Sequence, residues 1–253
     1  MEITIPHRFC GPPESGNGGW VSGTVATHVP TTEAHRCVTV RLAAPPPLDR
    51  PLTLVVDAPS SGAVPIADAV APVPSVRLLD GDHLVASATA SEALEGEAPD
   101  PVSLDEARTA EERYEGLVDH PFPTCFSCGT ARDPQDALCL RPGPLDDGTG
   151  RYAVAWVPRE ASVPLVWAAL DCPGGWSAGI AGRPMVLGTM TTQVLALPEV
   201  GAAHTILAWQ RASQGRKHLS GTALYSPGGQ VLASARATWI AVDPSTIRPR
   251  ETP

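Results

Sequence analysis

The sequence predicts an α+β protein of two similar units, each built from one buried helix and mostly antiparallel strands. Three observations carry this. Two apolar stretches, Gly19 to about His28 and Pro164–Cys172, are apolar nearly all round, which implies burial rather than a surface position. Each precedes runs with strand-like alternation or apolar continuity. The last run of each set reads alike: Leu84-Val85-Ala86-Ser87-Ala88 in one half, Val231-Leu232-Ala233-Ser234-Ala235 in the other.

Taken in order, Met1–Phe9 is expected as a short strand, followed by a Gly/Pro-rich loop and the first helix. Cys37–Leu42 alternates Val38, Val40 and Leu42 with Thr39 and Arg41, the mark of a half-buried strand. Leu52–Val56 is an apolar strand. Val76–Leu79 and Leu84–Ala90 form a hairpin around Asp80-Gly81-Asp82, because Asp-Gly favours the tight turn. Residues 91–119 are acidic and predict a linker with one short helix, Leu104–Tyr114, where Ser103 and Glu106 have capping-box spacing. The second unit begins at 120. Its elements are a strand at Arg151–Trp156, the helix Pro164–Cys172 stopped by Pro173-Gly174-Gly175, strands at Val186–Leu197 and Thr205–Ala212, and a hairpin of Lys217–Tyr225 with Gln230–Val242. The division is therefore 1–90, a linker at 91–119, 120–245, and a tail at 246–253.

Composition narrows the function. The chain has 253 residues, enough for two domains, and an ordinary hydrophobic share of 43%. Its net charge of -9 argues against nucleic-acid binding, which needs a basic surface. No apolar run approaches the ~18–20 residues of a membrane span, and the N-terminus lacks a secretion signal, so a cytoplasmic protein is expected. The six cysteines are then expected as reduced thiols.

Three motifs, in this order and spacing, resemble a known family. Asn17-Gly18-Gly19-Trp20 is similar to a His-Gly-Gly-aromatic helix start. Trp167-Ala168-Ala169-Leu170-Asp171 resembles a helical segment ending in an acid, and Cys125-Phe126-Ser127-Cys128-Gly129 a stretch before the first strand of a domain. The family is the hotdog-fold acyl-CoA thioesterases of the phenylacetate-pathway type. The His120-Pro121-Phe122-Pro123 context is similar to that of actinobacterial double-hotdog proteins. The resemblance implies a tandem hotdog, two antiparallel sheets each wrapped around a central helix. It implies an acyl-CoA or acyl-carrier-protein thioester as substrate, no cofactor beyond the coenzyme A of the substrate, and a chain that stays a pseudo-dimer or pairs again as a homodimer. The first half has the glycines without the acid, and the second has Asp171 without the glycines. One site assembled from both halves is expected.

Thioester hydrolysis needs an oxyanion stabiliser and an activated attacker. Backbone amides at a helix N-terminus supply the first, so Gly18 and Gly19 are the candidates. The structural alternative is a flexible turn. Asn17 orients water or substrate, or caps the helix. Asp171 serves as base or nucleophile, or bonds an amide of the turn after it. Thr189, with Thr191 and Thr192 beside it, is the candidate to hold the water. Trp20 and Trp167 are expected at the substrate. Arg216, Lys217 and His218 would grip coenzyme A phosphates, or form a solvated turn. Cys125 and Cys128 have zinc-knuckle spacing, but Cys139 and His120 complete a ligand set poorly, so packing thiols and no metal are expected. Cys172 is expected in the core. A binding-only protein and an enoyl-thioester hydratase are the competing functions. The hydratase reading needs an Asp–His pair, which the sequence does not show close together.

Overall fold

A computed structural model describes residues 1–57, 74–94, 96, 98–243 and 245. The expected tail at 246–253 and two acidic positions of the linker, Glu95 and Glu97, lie outside them. The elements are β1 (Glu2–Thr4), α1 (Gly18–Ala26), β2 (Cys37–Leu42), β3 (Pro51–Asp57), β4 (Ser75–Asp80), β5 (His83–Ser91), α2 (Leu104–Glu111), β6 (Gly143–Pro144), β7 (Tyr152–Trp156), α3 (Val163–Ser177), β8 (Met185–Val194), β9 (His204–Gln214), β10 (Lys217–Tyr225) and β11 (Val231–Ala241). The first strand is shorter than expected: after Pro6 the chain turns through a single 3₁₀ turn at His7–Phe9.

The strands form one antiparallel sheet in the order β1-β3-β4-β5-β2-β8-β11-β10-β9-β7-β6. This order repeats. After α1 come β2, β3, β4 and β5, arranged 3-4-5-2; after α3 come β8, β9, β10 and β11, arranged 9-10-11-8. The look-alike runs fall on β5 and β11, which hold equivalent places. The expectation of two sheets is corrected. β2 and β8 pair directly, with Val38 opposite Thr192 and Arg41 opposite Thr189, so two would-be edges satisfy each other's backbone groups. On the outer face of this seam Thr39 Oγ1 lies 2.8 Å from Thr191 Oγ1 and 3.0 Å from Ser91 Oγ. The outer edges left over are β1 and β6, strands of three and two residues.

α1 and α3 share one core with the inner face of the sheet. They cross closely because α1 offers glycines. A Cβ on Gly19 would stand 2.5 Å from Asp171 Cβ and 2.7 Å from the Trp167 carbonyl oxygen. One on Gly23 would stand 2.7 Å from Pro164 Cα and 2.8 Å from Trp167 Cβ. Glycine at both positions is a packing requirement, independent of chemistry.

α3 does not stop at Pro173. It continues to Ser177, with thirteen residues from Leu165 to Ser177 buried. Gly174 and Gly175 act as contact surface: Cβ atoms there would meet Ser220 Oγ at 2.7 Å and the Trp239 ring at 3.0 Å. Burial against β10 and β11 outweighs the one hydrogen bond that proline removes.

The acidic connection is a packed cover. Alternation sends Val154, Ile206 and Leu224 to the inner core and Ala153, Leu207, Ala223 and Tyr225 to the opposite face. Ala107 and Ala110 of α2 close over that second face. The capping box forms as its spacing predicts: Ser103 N donates to Glu106 Oε2 at 2.8 Å, and Glu106 N to Ser103 Oγ at 3.2 Å.

Candidate active site

Asn17 caps α1. Its Oδ1 accepts the Trp20 N–H at 2.8 Å, which fixes the amide group and turns Nδ2 toward α3. Nδ2 donates to Asp171 Oδ2 at 3.3 Å and approaches Cys125 Sγ at 3.6 Å. Asp171 Oδ2 also accepts the Gly19 N–H at 2.9 Å. That amide belongs to the first turn of α1, whose donors have no partner within the helix. The glycine start of the first half and the acid of the second thus meet directly, 152 residues apart in sequence.

Asp171 is 3% exposed and its Oδ1 has no hydrogen-bond partner. Burial raises its pKa to about 8; the Gly19 and Asn17 hydrogen bonds oppose the rise, and Cys125 adds to it. Such a carboxyl exchanges a proton near neutrality.

The group faces a cavity of about 220 Å³ with mostly apolar walls. The N-terminal half contributes Gly11–Gly18 in part and Leu42–Pro46; the C-terminal half contributes Asp171, Cys172, Trp176, Leu187 and Trp239. His120, Cys125 and Cys128 line it from the loop that precedes the second unit. That loop is held from both sides: Phe126 N donates to Cys10 O at 2.7 Å, and Ser127 Oγ to Ala168 O at 2.8 Å.

Three sulfurs converge there. Sγ of Cys125, Cys128 and Cys172 all lie within 4.8 Å of one another, and all three residues are buried. Hydrogen bonds from the Cys128 and Cys172 thiols, aided by the Ser127 and Cys128 amides, hold the Cys125 thiol well below its ordinary pKa. Burial raises Cys128, and the bond to Cys125 raises Cys172. His120 Nδ1 accepts the Phe122 N–H at 2.9 Å, so in the neutral ring the proton sits on Nε2. Nε2 lies 3.1 Å from Cys128 O and 3.4 Å from Cys128 Sγ. Burial lowers the His120 pKa, which keeps the ring neutral.

Of the residues expected from sequence, Asn17, Gly18, Gly19 and Asp171 come together. Gly19 carries a correction: its N–H is taken by Asp171, so it positions the acid rather than an oxyanion. Gly18 lines the cavity and remains the amide candidate. Thr189 lies opposite Arg41 and Thr238, and shares the outer-face parity of Thr191 rather than that of buried Met190. It is not among the cavity-lining residues. Trp20 stacks on Phe9 at 3.9 Å, and Trp167 is 1% exposed in the helix crossing; both are packing residues outside the cavity wall. The basic cluster divides. Arg216 and Lys217 are exposed. His218 is buried, and Arg183 Nη1 lies 3.2 Å from its Nε2. Burial and that guanidinium lower its pKa, so it carries no charge for a phosphate.

Cys125, Cys128, Cys172 and His120 line the cavity although sequence reasoning left all four outside the site. The available signal was the position of Cys172 beside Asp171 on a helix with no solvent face. Cys139, the ligand weighed instead, lies elsewhere, with its thiol toward Arg132 O at 3.9 Å.

No protein-family model and no curated protein matches the sequence. Solved structures are similar in fold. A conserved protein of unknown function with hot dog fold from Alicyclobacillus acidocaldarius shares 13% identity at TM-score 0.58, covering 96% of this chain and 92% of that one. Acyl-CoA thioesterase II TesB2 from Mycobacterium marinum shares 14% at 0.58, covering 96% and 93%. The dehydratase domain of PpsC from Mycobacterium tuberculosis, in complex with C12:1-CoA, shares 10% at 0.55, covering 96% and 93%. These likenesses establish the hotdog fold.

Proposed function

We propose that the chain is a thioester hydrolase acting on acyl-CoA or acyl-carrier-protein thioesters, with one site built by two hotdog units, residues 1–90 and 120–245, joined by 91–119. The observation that carries this is the Asp171 carboxylate set against the first turn of α1 inside an apolar cavity walled by both halves. The thioester carbonyl points at the Gly18 amide and the positive end of the α1 dipole. Asp171, fixed through Oδ2 by Gly19 and Asn17, keeps Oδ1 for a water and takes its proton as that water attacks the acyl carbon. The tetrahedral intermediate then expels the carrier's thiolate, which takes that proton back from Asp171 and leaves as the free thiol beside the carboxylic acid. Arg216, in the turn before β10, and Lys217, paired on β10 with cavity-lining Ile240, meet the phosphates of the carrier. The narrower likeness to phenylacetate-pathway and actinobacterial double-hotdog enzymes rests on the sequence motifs.

His120 and Asp171 line the same cavity, the pair a hydratase would need. Yet Nδ1 of His120 is occupied by the Phe122 amide and Nε2 by Cys128, so neither nitrogen is free to move a proton. The test is a panel of acyl-CoAs assayed for release of free thiol, with crotonyl-CoA included. Thiol release by wild type that vanishes in Asp171→Asn supports the hydrolase. Hydration of crotonyl-CoA without thiol release, or ligand-induced thermal stabilisation with no turnover, refutes it.

A further inference from the structure

We propose that Cys125, Cys128 and Cys172 form a three-thiolate site for a thiophilic divalent cation, Zn²⁺ above others, with its fourth coordination position open to the cavity. The inference does not depend on the thioesterase reading. Two sulfurs bound tetrahedrally to one zinc at about 2.3 Å stand about 3.8 Å apart. Cys125 Sγ and Cys172 Sγ are 3.6 Å apart, and Cys128 Sγ lies within the same 4.8 Å. Three thiols from two separate elements, a loop and a helix, gather within that 4.8 Å with residues buried to 8% exposure or less.

The loop has the shape a knuckle needs. Gly129 N donates to Cys125 O at 2.8 Å, closing the Cys-x-x-Cys turn. A Cβ on Gly129 would lie 2.5 Å from the Cys125 and Pro123 carbonyl oxygens, so no other residue fits there. Cys125 Sγ faces the N-terminal cap of α1. Asn17 Nδ2 approaches the same sulfur, and His120 Nε2 approaches that of Cys128. Hydrogen bonds aimed at sulfur are what metal thiolates receive from their surroundings. His120 belongs to these donors rather than to the ligands, because Nδ1 already accepts an amide proton and Nε2 carries the ring's own. The protein therefore supplies three ligands, and a water or an entering ligand supplies the fourth. That is the open arrangement of reactive zinc sites, as opposed to a closed structural one. On binding, the thiols release their protons to solvent.

The experiment uses the full chain, purified under reducing conditions and stripped of metal with a chelator. It is titrated with Zn²⁺ and, separately, with Co²⁺, and metal content is measured by plasma mass spectrometry. One equivalent of zinc per chain and a thiolate-to-cobalt charge-transfer band are expected. Cys125→Ser and Cys172→Ser should each lose the band and the bound metal, while His120→Gln and Asp171→Asn retain both. Folding of each variant is checked by circular dichroism, and the wild-type titration stands whatever the variants do. Substoichiometric zinc with no cobalt band in reduced wild type overturns the site. So does a Cys125–Cys172 disulfide that forms in air with zinc present. Loss of metal in His120→Gln equal to that in Cys125→Ser overturns the three-thiolate assignment. Failure of the thioesterase reading would appear only in the thiol-release assay and would leave the metal stoichiometry unchanged.

Discussion

At one end of the α1–α3 crossing Gly19 meets Asp171; at the other, Gly23 meets Trp167 and Pro164. The approach is equally close at both. The difference lies in what fills it. The first end holds a carboxylate, a capping asparagine and a cavity; the second holds an indole with 1% exposure. In a molecule whose two halves have the same strand order, one end opens on a cavity and its counterpart is packed shut. Symmetry of fold therefore does not carry over to symmetry of site.

The largest effect that would break this comparison is expected from Asp171→Asn. The variant keeps the shape and loses the proton acceptor, and kcat for thiol release should fall about 10²–10⁴-fold, the usual worth of a general base. Activity within a few-fold of wild type would mean that the two ends differ only in packing.

Next comes the pair Gly19→Ala and Gly23→Ala. Each inserts a Cβ where atoms stand 2.5–2.8 Å away, so each should cost about 1–3 kcal/mol of stability by denaturant unfolding. Activity per folded molecule should separate them. Gly19→Ala pushes Asp171 out of line and should lose about 100-fold, in keeping with the cost of a misplacement of about 1 Å. Gly23→Ala acts at the closed end and should stay near wild type. Equal losses would show that the crossing works as one unit.

Asn17→Ser isolates a finer difference. Serine preserves the helix cap but removes both Nδ2 contacts. Stability should change little, while kcat falls about ten- to a hundredfold, the worth of a hydrogen bond to a charged group. A large loss of stability with kcat intact would make Asn17 a cap and nothing more.

The sequence made the open end partly legible. An acid closing an apolar helix and a Gly-Gly pair opening another are local features, and buried helices constrain where such groups go. The strands were legible for the same reason: alternation in Cys37–Leu42 and the Asp80-Gly81-Asp82 turn are short-range signals. What could not be read were partnerships across long separations. Nothing local tells that the Gly19 amide is consumed by Asp171, that Cys172 joins Cys125 across 47 residues, or that β2 bonds β8. The tryptophans misled because neighbours on a helix point about 100° apart, so Trp20 beside Gly19 faces Phe9 rather than the cavity. The proline at 173 misled because its local penalty is smaller than the burial gained by continuing the helix.

The smallest predicted effect concerns the rim of the open end. Arg216 Nε donates to Ala241 O at 3.1 Å and Lys217 pairs in register with Ile240, which sets both cations one strand from the cavity wall. They are exposed, so each contact with a phosphate is worth about 0.2–1 kcal/mol, and the double variant Arg216→Ala/Lys217→Ala should raise KM for an acyl-CoA only several-fold with kcat unchanged. The rise should shrink at high salt, where exposed charges are screened. An acyl-pantetheine substrate lacks the nucleotide phosphates and should be hydrolysed equally well by variant and wild type. If its KM rises as much as that of the acyl-CoA, the cations serve the fold of the β9–β10 turn, and recognition of the carrier must be sought on the N-terminal wall, at Leu42–Pro46.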